Sequence, residues 1–131
     1  MTTELPAQQM IRIRAGELDA PLWRNNSGAW HDGNRSIRYG LGNDSKKLSE
    51  TFKSLDLIGI TPTLITARHV GRVLGVFTAV DAKAPDWNGI TQSDKIAQAQ
   101  ESFIQAVLRH GGYAGFARSV AEYERIIGRG T

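Results

Sequence analysis

The spacing of apolar residues in the first half of the chain predicts one helix followed by short strands. Residues 4–18 have apolar positions near helical spacing, and Pro6 suits the first turn of a helix. Residues 21–25 and 35–41 are short stretches with strand character, separated by loop-like residues. This half is therefore predicted to pass from a helix into small strands.

The second half alternates predicted strands with predicted helices. Residues 56–60 are short and apolar and indicate a buried strand that opens with a carboxylate, and residues 72–83, rich in Val and Phe, form the clearest strand. A helix is predicted to follow a capping-box pattern and to end near residue 110, before a last strand at residues 113–117. Ser119 is placed to cap a final helix. The order predicts an α/β domain in which helices pack on a small sheet.

Length and composition fit one intracellular domain spanning residues 1–131. A chain of 131 residues can bury a core without staples, and it has no cysteine. Thiolate metal sites and cysteine nucleophiles are thereby excluded, and a reducing compartment is favoured. The sequence has no apolar run long enough to span a membrane and does not open with a basic-then-apolar leader, so we expect a cytoplasmic protein. The net charge of +3 is compatible with a polyanionic partner.

The strand at residues 72–83 carries the first candidate chemistry. Side chains alternate along a strand, so Asp81 and Lys83 share one face at its end. For hydrolysis, Asp81 would ligate a divalent ion while Lys83 positions water or stabilises charge on a phosphate. The alternative is an ordinary ion pair at a strand end.

Asp56 is the second candidate, because propensity disfavours an acid at the start of an apolar strand. A neighbouring strand could bring it beside Asp81, and two such carboxylates suit Mg²⁺ or Mn²⁺. The alternative is a cap or turn residue that precedes the strand.

Gln100 is the third candidate. Together with Ile96, Phe103 and Val107 it forms a stripe of spacing four, three and four on the predicted helix. The other members are apolar, so Gln100 is a polar residue on a face that should pack inward. It could hydrogen-bond the site or its water, or it could be a satisfied buried amide.

Several short segments, taken in order, resemble one nuclease family. In combination their order and spacing are similar to those of a VRR-NUC domain, a branch of the PD-(D/E)XK nuclease superfamily, of the stand-alone bacterial and phage type. The resemblance covers nearly the whole chain. The segments are Leu22-Trp23-Arg24-Asn25-Asn26-Ser27-Gly28-Ala29, Arg38-Tyr39-Gly40-Leu41, Asp56-Leu57-Ile58-Gly59, Asp81-Ala82-Lys83, Gln100-Glu101-Ser102-Phe103 running into Gly111-Gly112, and Ala114-Gly115-Phe116-Ala117-Arg118-Ser119.

The resemblance implies a restriction-endonuclease-like core, a mixed central sheet flanked by helices. It assigns metal binding to Asp56 and Asp81, the catalytic lysine to Lys83 and the helix glutamine to Gln100. A glutamate on the family's first helix corresponds to Glu4, which is alternatively a favourable acid in a helix first turn.

The chain departs from the family at two places. The family more often has glutamate where Asp81 stands, so the carboxylate here is one methylene shorter. The residues before Asp56, Lys53-Ser54-Leu55, lack the glycine and the proline often found there.

By resemblance, the expected function is a structure-specific DNA endonuclease that uses Mg²⁺ or Mn²⁺ and acts as a homodimer on branched DNA such as Holliday junctions. Flap or general duplex cleavage ranks second. The alternatives from other functional classes are a non-catalytic DNA-binding module on the same fold and a small interaction protein. The DNA-contact candidates, which could instead brace the site or be polar strand ends, are Arg24, Asn25, Asn26 and Arg38.

Overall fold

This computed structural model describes residues 5–26, 28–51 and 53–129. The chain divides into two compact units, the first ending at Gly59 and the second beginning at Ile60.

The first unit begins with a helix and contains two antiparallel strand pairs. This helix ends where Asp19 takes a positive φ of 53° and Pro21 follows. The elements of the first unit are α1 (Leu5–Glu17), β1 (Leu22–Arg24), β2 (Gly28–His31), β3 (Ser36–Tyr39), α2 (Lys46–Thr51) and β4 (Leu57–Gly59).

Strands β1 and β4 pair antiparallel, with Trp23 opposite Ile58. The strands approach so closely that a Cβ at Gly59 would collide with the backbone carbonyl oxygen of Pro21. Glycine is therefore required at the end of β4 by the space available.

Strands β2 and β3 form an antiparallel hairpin around Asp32. The Asp32 carboxylate accepts hydrogen bonds from the backbone N–H groups of Arg35 (3.0 Å) and Asn34 (3.2 Å). These bonds favour the charged form and lower the pKa of Asp32. The sequence predicts a loop at residues 30–34, whereas β2 extends to His31.

The second unit is a parallel strand pair with a helical crossover. After a single 3-10 turn at Ala67–His69 come β5 (Thr78–Ala82), α3 (Lys95–Arg109), β6 (Tyr113–Ala117) and α4 (Val120–Ile126). β5 and β6 are parallel, so α3 makes the long connection that such a pair needs.

Helices α3 and α4 cover opposite faces of this pair. The α3 side holds Val107 and Ala97, both fully buried, with Ile104 at 7% exposure. On the other face, a Cβ at Gly115 would lie 3.0 Å from the Ile126 side chain of α4. The core of this unit is therefore small and built largely around α3.

The mixed α/β class is confirmed, and the strands of the described residues pair as three two-stranded sheets. The strand predicted at residues 72–83 is shorter and begins at Thr78. The preceding segment is apolar but forms no strand, although the Phe77 carbonyl at its end accepts from the Tyr113 N–H at 2.8 Å, and Val73 is 98% exposed. A β-branched sequence alone does not make a strand without a pairing edge.

The boundaries of the helices that the sequence predicts agree closely with the structure except at the start of α3, and α2 was not predicted. The N-cap is Asp94, whose carboxylate accepts from the Ala97 N–H at 2.9 Å. Thr91 lies in the turn before the helix, so the helix begins one turn after the predicted capping box and has a single N-cap bond there. Within the described residues, no helix has the length and apolar character needed to cross a lipid bilayer.

Candidate functional site: the Asp81, Lys83 and Gln100 ring

The end of β5 places Asp81 and Lys83 on the face covered by α3. Lys83 follows the last strand residue, yet its backbone N–H still donates to the Ala117 carbonyl at 2.9 Å. The strand pairing therefore continues one residue past β5, and the alternation of side chains holds through Lys83.

Three polar side chains close a ring at this point. The Gln100 amide nitrogen donates to Asp81 Oδ1 at 2.8 Å, and Lys83 Nζ donates to Gln100 Oε1 at 2.9 Å. Lys83 Nζ also lies 3.0 Å from Asp81 Oδ2. Each end of the amide faces the charge it can bind, so the ring fixes all three groups at once.

The inward position of Gln100 is confirmed, but its predicted neighbours are only partly right. Ile96 is 73% exposed and Phe103 is 40% exposed, whereas Ala97 and Ile104 are buried. The inward stripe is therefore residues 97, 100, 104 and 107. Its spacing of three, four and three is as helical as the predicted one, so the sequence pattern alone did not separate them.

The two charges of the ring differ in exposure. The Lys83 side chain is 16% exposed and that of Asp81 is 37% exposed. Water and ions therefore reach the carboxylate more readily than the ammonium. A cavity of about 250 Å³ adjoins the exposed side and is lined by Ala79, Val80, Asp81, Gln100, Phe103 and Ile104.

Two aromatic rings lie against the lysine. Lys83 Nζ is 5.1 Å from the centroid of Phe116 and 5.6 Å from that of Trp87. The ring centroids are 5.0 Å apart and tilted by 48°. Phe116 faces this site because it pairs with Asp81 in the parallel register. The sequence does not single out Phe116, since that register is a long-range property.

An ion pair fixes the segment that carries Trp87. The Arg118 guanidinium binds both Glu122 carboxylate oxygens, at 2.8 and 3.0 Å, and the Arg118 backbone N–H donates to the same carboxylate at 2.7 Å. These bonds lower the pKa of Glu122 to about 2 and raise that of Arg118. Arg118 Nη1 also donates to the Trp87 carbonyl at 3.0 Å.

Asp56 belongs to the first unit and is exposed. It lies in a bend directly before β4, so it precedes the strand instead of opening it as predicted. Its carboxylate accepts from Gln8 Nε2 at 3.2 Å. The backbone around it is held by Asn25, whose N–H donates to the Asp56 carbonyl and whose side chain donates to the Leu55 carbonyl, both at 2.9 Å. Asn25 was predicted to contact DNA, to brace the site or to be a polar strand end, and these contacts fit a bracing role.

The remaining described candidates belong to the first unit. Arg24 and Asn26 are exposed at the end of β1. The Arg38 guanidinium donates to Asn43 Oδ1, at 2.6 Å from Nη2. The buried Asn43 in turn donates to backbone carbonyls of the β2 and β3 hairpin, so Arg38 braces that hairpin. Glu4 lies outside the described residues.

The donor atoms around Asp81 suit a hard cation. Each Asp81 oxygen accepts one bond within the ring and keeps a lone pair, and oxygen ligands are those preferred by Mg²⁺ and Mn²⁺. Within the residues that the structure describes, no group of three or more His, Cys, Asp or Glu side chains is arranged to hold a metal ion. A cation at Asp81 would therefore take much of its coordination from water, substrate or a further acid.

Comparisons with known proteins do not test the resemblance to VRR-NUC domains. No model of a protein family matches the chain, and neither a curated protein nor a solved structure matches it. The similarity to VRR-NUC domains remains a prediction that depends on the motifs quoted above.

Proposed function

We propose that the chain is a metal-dependent DNA endonuclease with a restriction-endonuclease-like core and that the ring of Asp81, Lys83 and Gln100 is part of its active site. The observation that supports this most is the ring itself. It presents a partly exposed carboxylate beside a covered ammonium, the two groups that hydrolysis of a phosphodiester needs close together.

In this proposal Asp81 is a ligand of Mg²⁺ or Mn²⁺, and Asp56 and Glu4 keep the metal-binding assignment that the resemblance to VRR-NUC domains gives them. The cation, when bound, supplies an activated water and neutralises charge on the phosphate. Asp81 is oriented for this task by the Gln100 amide, which leaves a lone pair on each carboxylate oxygen.

Lys83 serves as the electrostatic partner of the reacting phosphate. An ammonium has three N–H donors, and the ring uses two of them, on Asp81 and Gln100. The remaining donor suits a phosphate oxygen or the attacking water. Because the lysine is largely covered, its charge is less screened than that of a surface lysine.

The test is cleavage of labelled four-way junction, flap, duplex and single-stranded DNA in Mg²⁺ or Mn²⁺. Lys83→Ala should slow cleavage by roughly 10²-fold or more, because it removes a donor aimed at developing charge. DNA binding should change only a few-fold. Lys95→Ala, at the exposed first position of α3, is the matched control and should cut like the parent. If Lys83→Ala cuts as fast as the parent, Lys83 has no catalytic role.

Branched DNA is the proposed preferred substrate, and a homodimer is the proposed active form. Resolving a four-way junction requires two symmetric cuts, and a domain with one site supplies one of them. Sedimentation with and without junction DNA tests this. A dimer carrying one junction agrees with the proposal, whereas a monomer that cuts junctions and plain duplex equally favours the flap or general duplex nuclease.

A non-catalytic DNA-binding module is the second candidate. It is favoured by the observation that both Asp81 oxygens already have partners within the ring, as in a structural ion pair. Titration of Mn²⁺ by calorimetry separates the two proposals. The nuclease should bind Mn²⁺ and lose affinity in Asp81→Asn, with Asp86→Asn as an exposed control. A parent protein that binds DNA but no Mn²⁺ supports the binding module.

A further inference from the structure

We propose that Trp87, held in place by the Arg118 and Glu122 pair, is a positioning residue that keeps the Lys83 ammonium at the site. The inference rests on the proposed function for its consequence in catalysis. Its structural part concerns only the second unit and can be tested without any DNA.

The need for a positioning residue follows from the lysine side chain. Lysine has four rotatable bonds, and among the residues that the structure describes the polar partners of the Lys83 ammonium are the ring members Asp81 and Gln100. Asp81 is also the group proposed to hold a cation, so its hold on the ammonium weakens when the site is in use. An aromatic face attracts an ammonium without supplying a metal ligand. The faces of Trp87 and Phe116 therefore hold the lysine by contacts for which a cation does not compete.

Phe116 is fixed by the strand that carries it, but Trp87 lies in the connection after β5. The local sequence turns the chain there: Pro85 is the second residue of a turn closed by the Trp87 N–H and the Ala84 carbonyl at 3.0 Å. A turn of this kind sets the local bend but does not by itself anchor the Trp87 backbone, from which the indole projects, to the rest of the unit.

The Arg118 and Glu122 pair supplies the missing constraint. Arg118 directly follows β6, and Glu122 lies in the first turn of α4. The guanidinium is held at two points by Glu122, so its remaining nitrogen has a defined direction, and it donates to the Trp87 carbonyl at 3.0 Å. The chain of contacts thus runs from α4 through Arg118 to Trp87 and then to Lys83.

The first readout is the nuclear magnetic resonance signal of the Lys83 ε-methylene protons in protein labelled at lysine. The chain has five lysines, so the spectrum is simple and the Lys83→Arg variant assigns the signal. Two nearby ring faces should shift it upfield of the other four. Trp87→Leu should remove part of this shift, Trp87→Phe should retain most of it, and Arg118→Lys should reduce it, because lysine does not reproduce the forked contact.

Glu122→Gln should also reduce the shift, because it loosens the guanidinium. The matched control is Glu124→Gln, which makes the same change at an exposed position of the same helix and should leave the signal unmoved. If the signal is the same in Trp87→Leu as in the parent, the proposal is overturned. An equal response to Glu124→Gln and Glu122→Gln overturns the role of the ion pair.

The second readout is kinetic. Trp87→Leu and Glu122→Gln should each lower kcat for junction cleavage about tenfold, with KM changed less than about twofold, because the substrate still binds while the lysine is misplaced. Trp87→Phe should restore most of kcat. Unchanged kcat in Trp87→Leu, with Lys83→Ala inactive, refutes the positioning role. A parent protein that cuts no DNA refutes the proposed function, and the proton shift still decides whether Trp87 holds Lys83.

Discussion

Replacing Gln100 with leucine tests the ring most cleanly, because it removes the amide without changing any charge. Two hydrogen bonds to charged groups are lost, each contributing about 1.5–3 kcal/mol when well buried. The bond to Lys83 should be near the lower end of that range, since the lysine is 16% exposed. The bond to Asp81, which is 37% exposed, should contribute only about 0.5–1 kcal/mol, because water replaces the lost partner.

The added apolar surface of leucine offsets about 0.5 kcal/mol of this loss. We therefore expect Gln100→Leu to lower the free energy of unfolding by about 2 kcal/mol, measured by urea denaturation with the slope unchanged. The matched control is Gln105→Leu on the same helix, where an exposed bond to Glu101 is removed. It should cost no more than about 0.5 kcal/mol.

The comparison between the two variants decides the interpretation. If Gln100→Leu is no less stable than Gln105→Leu, the ring does not hold Lys83 and Asp81 in the folded chain. In that case the ordered charge pair, on which the proposed chemistry depends, loses its physical basis.

Three further predictions concern stability. The pKa of Glu122 is lowered from 4.5 to about 2, so its pairing stabilises the fold above about pH 4.5 and this stabilisation is lost as the pH falls towards 2. The free energy of unfolding of Glu122→Gln should therefore depend less on pH over that interval than that of the parent. Asp94→Ala should cost about 1 kcal/mol by removing the N-cap of α3, and Asp94→Asn should recover most of it in thermal unfolding. Gly59→Ala should cost about 2 kcal/mol in urea, because its Cβ meets the Pro21 backbone, whereas Gly75→Ala, which has open space, should change little.

The parts of the fold that the sequence predicted well are those marked by local signals. Helix α3 (Lys95–Arg109) ends where the sequence predicts, because Gly111, with φ of 90°, follows it, although it begins one turn after the predicted cap. Ser119 caps α4 as predicted, its side chain accepting from the Glu122 N–H at 3.2 Å. These features depend on residues only a few positions apart.

The features that the sequence missed depend on contacts between distant residues. Residues 72–77 have strand composition, but a strand needs a partner along its length, and the register with β6 begins at Thr78, next to the hydrogen bond from the Tyr113 N–H to the Phe77 carbonyl. Helix α2 (Lys46–Thr51) was not predicted, since it is short and has no strong apolar periodicity. The same limit applies to Gln100, whose inward direction was predicted although Ile96 was wrongly placed beside it.

In the candidate site, too, local signals were predicted from the sequence and long-range contacts were not. Strand alternation correctly placed Asp81 and Lys83 on one face, and helical periodicity directed Gln100 towards a packed face. The aromatic contacts of Lys83 depend on the register between β5 and β6 and on the path of the chain through Trp87. Neither is encoded in a short motif, so the surroundings of the lysine could be read only from the structure.

The proposal that Asp81 belongs to a nuclease active site is tested most directly by the single-turnover rate of four-way junction cleavage in Mn²⁺. The comparison is between the parent, Asp81→Asn and the control Asp86→Asn. We predict cleavage by the parent and the control and a loss of roughly 10²-fold or more in Asp81→Asn, with junction binding retained. A parent that leaves the junction intact, or an Asp81→Asn variant that cuts at the parental rate, would contradict the proposal.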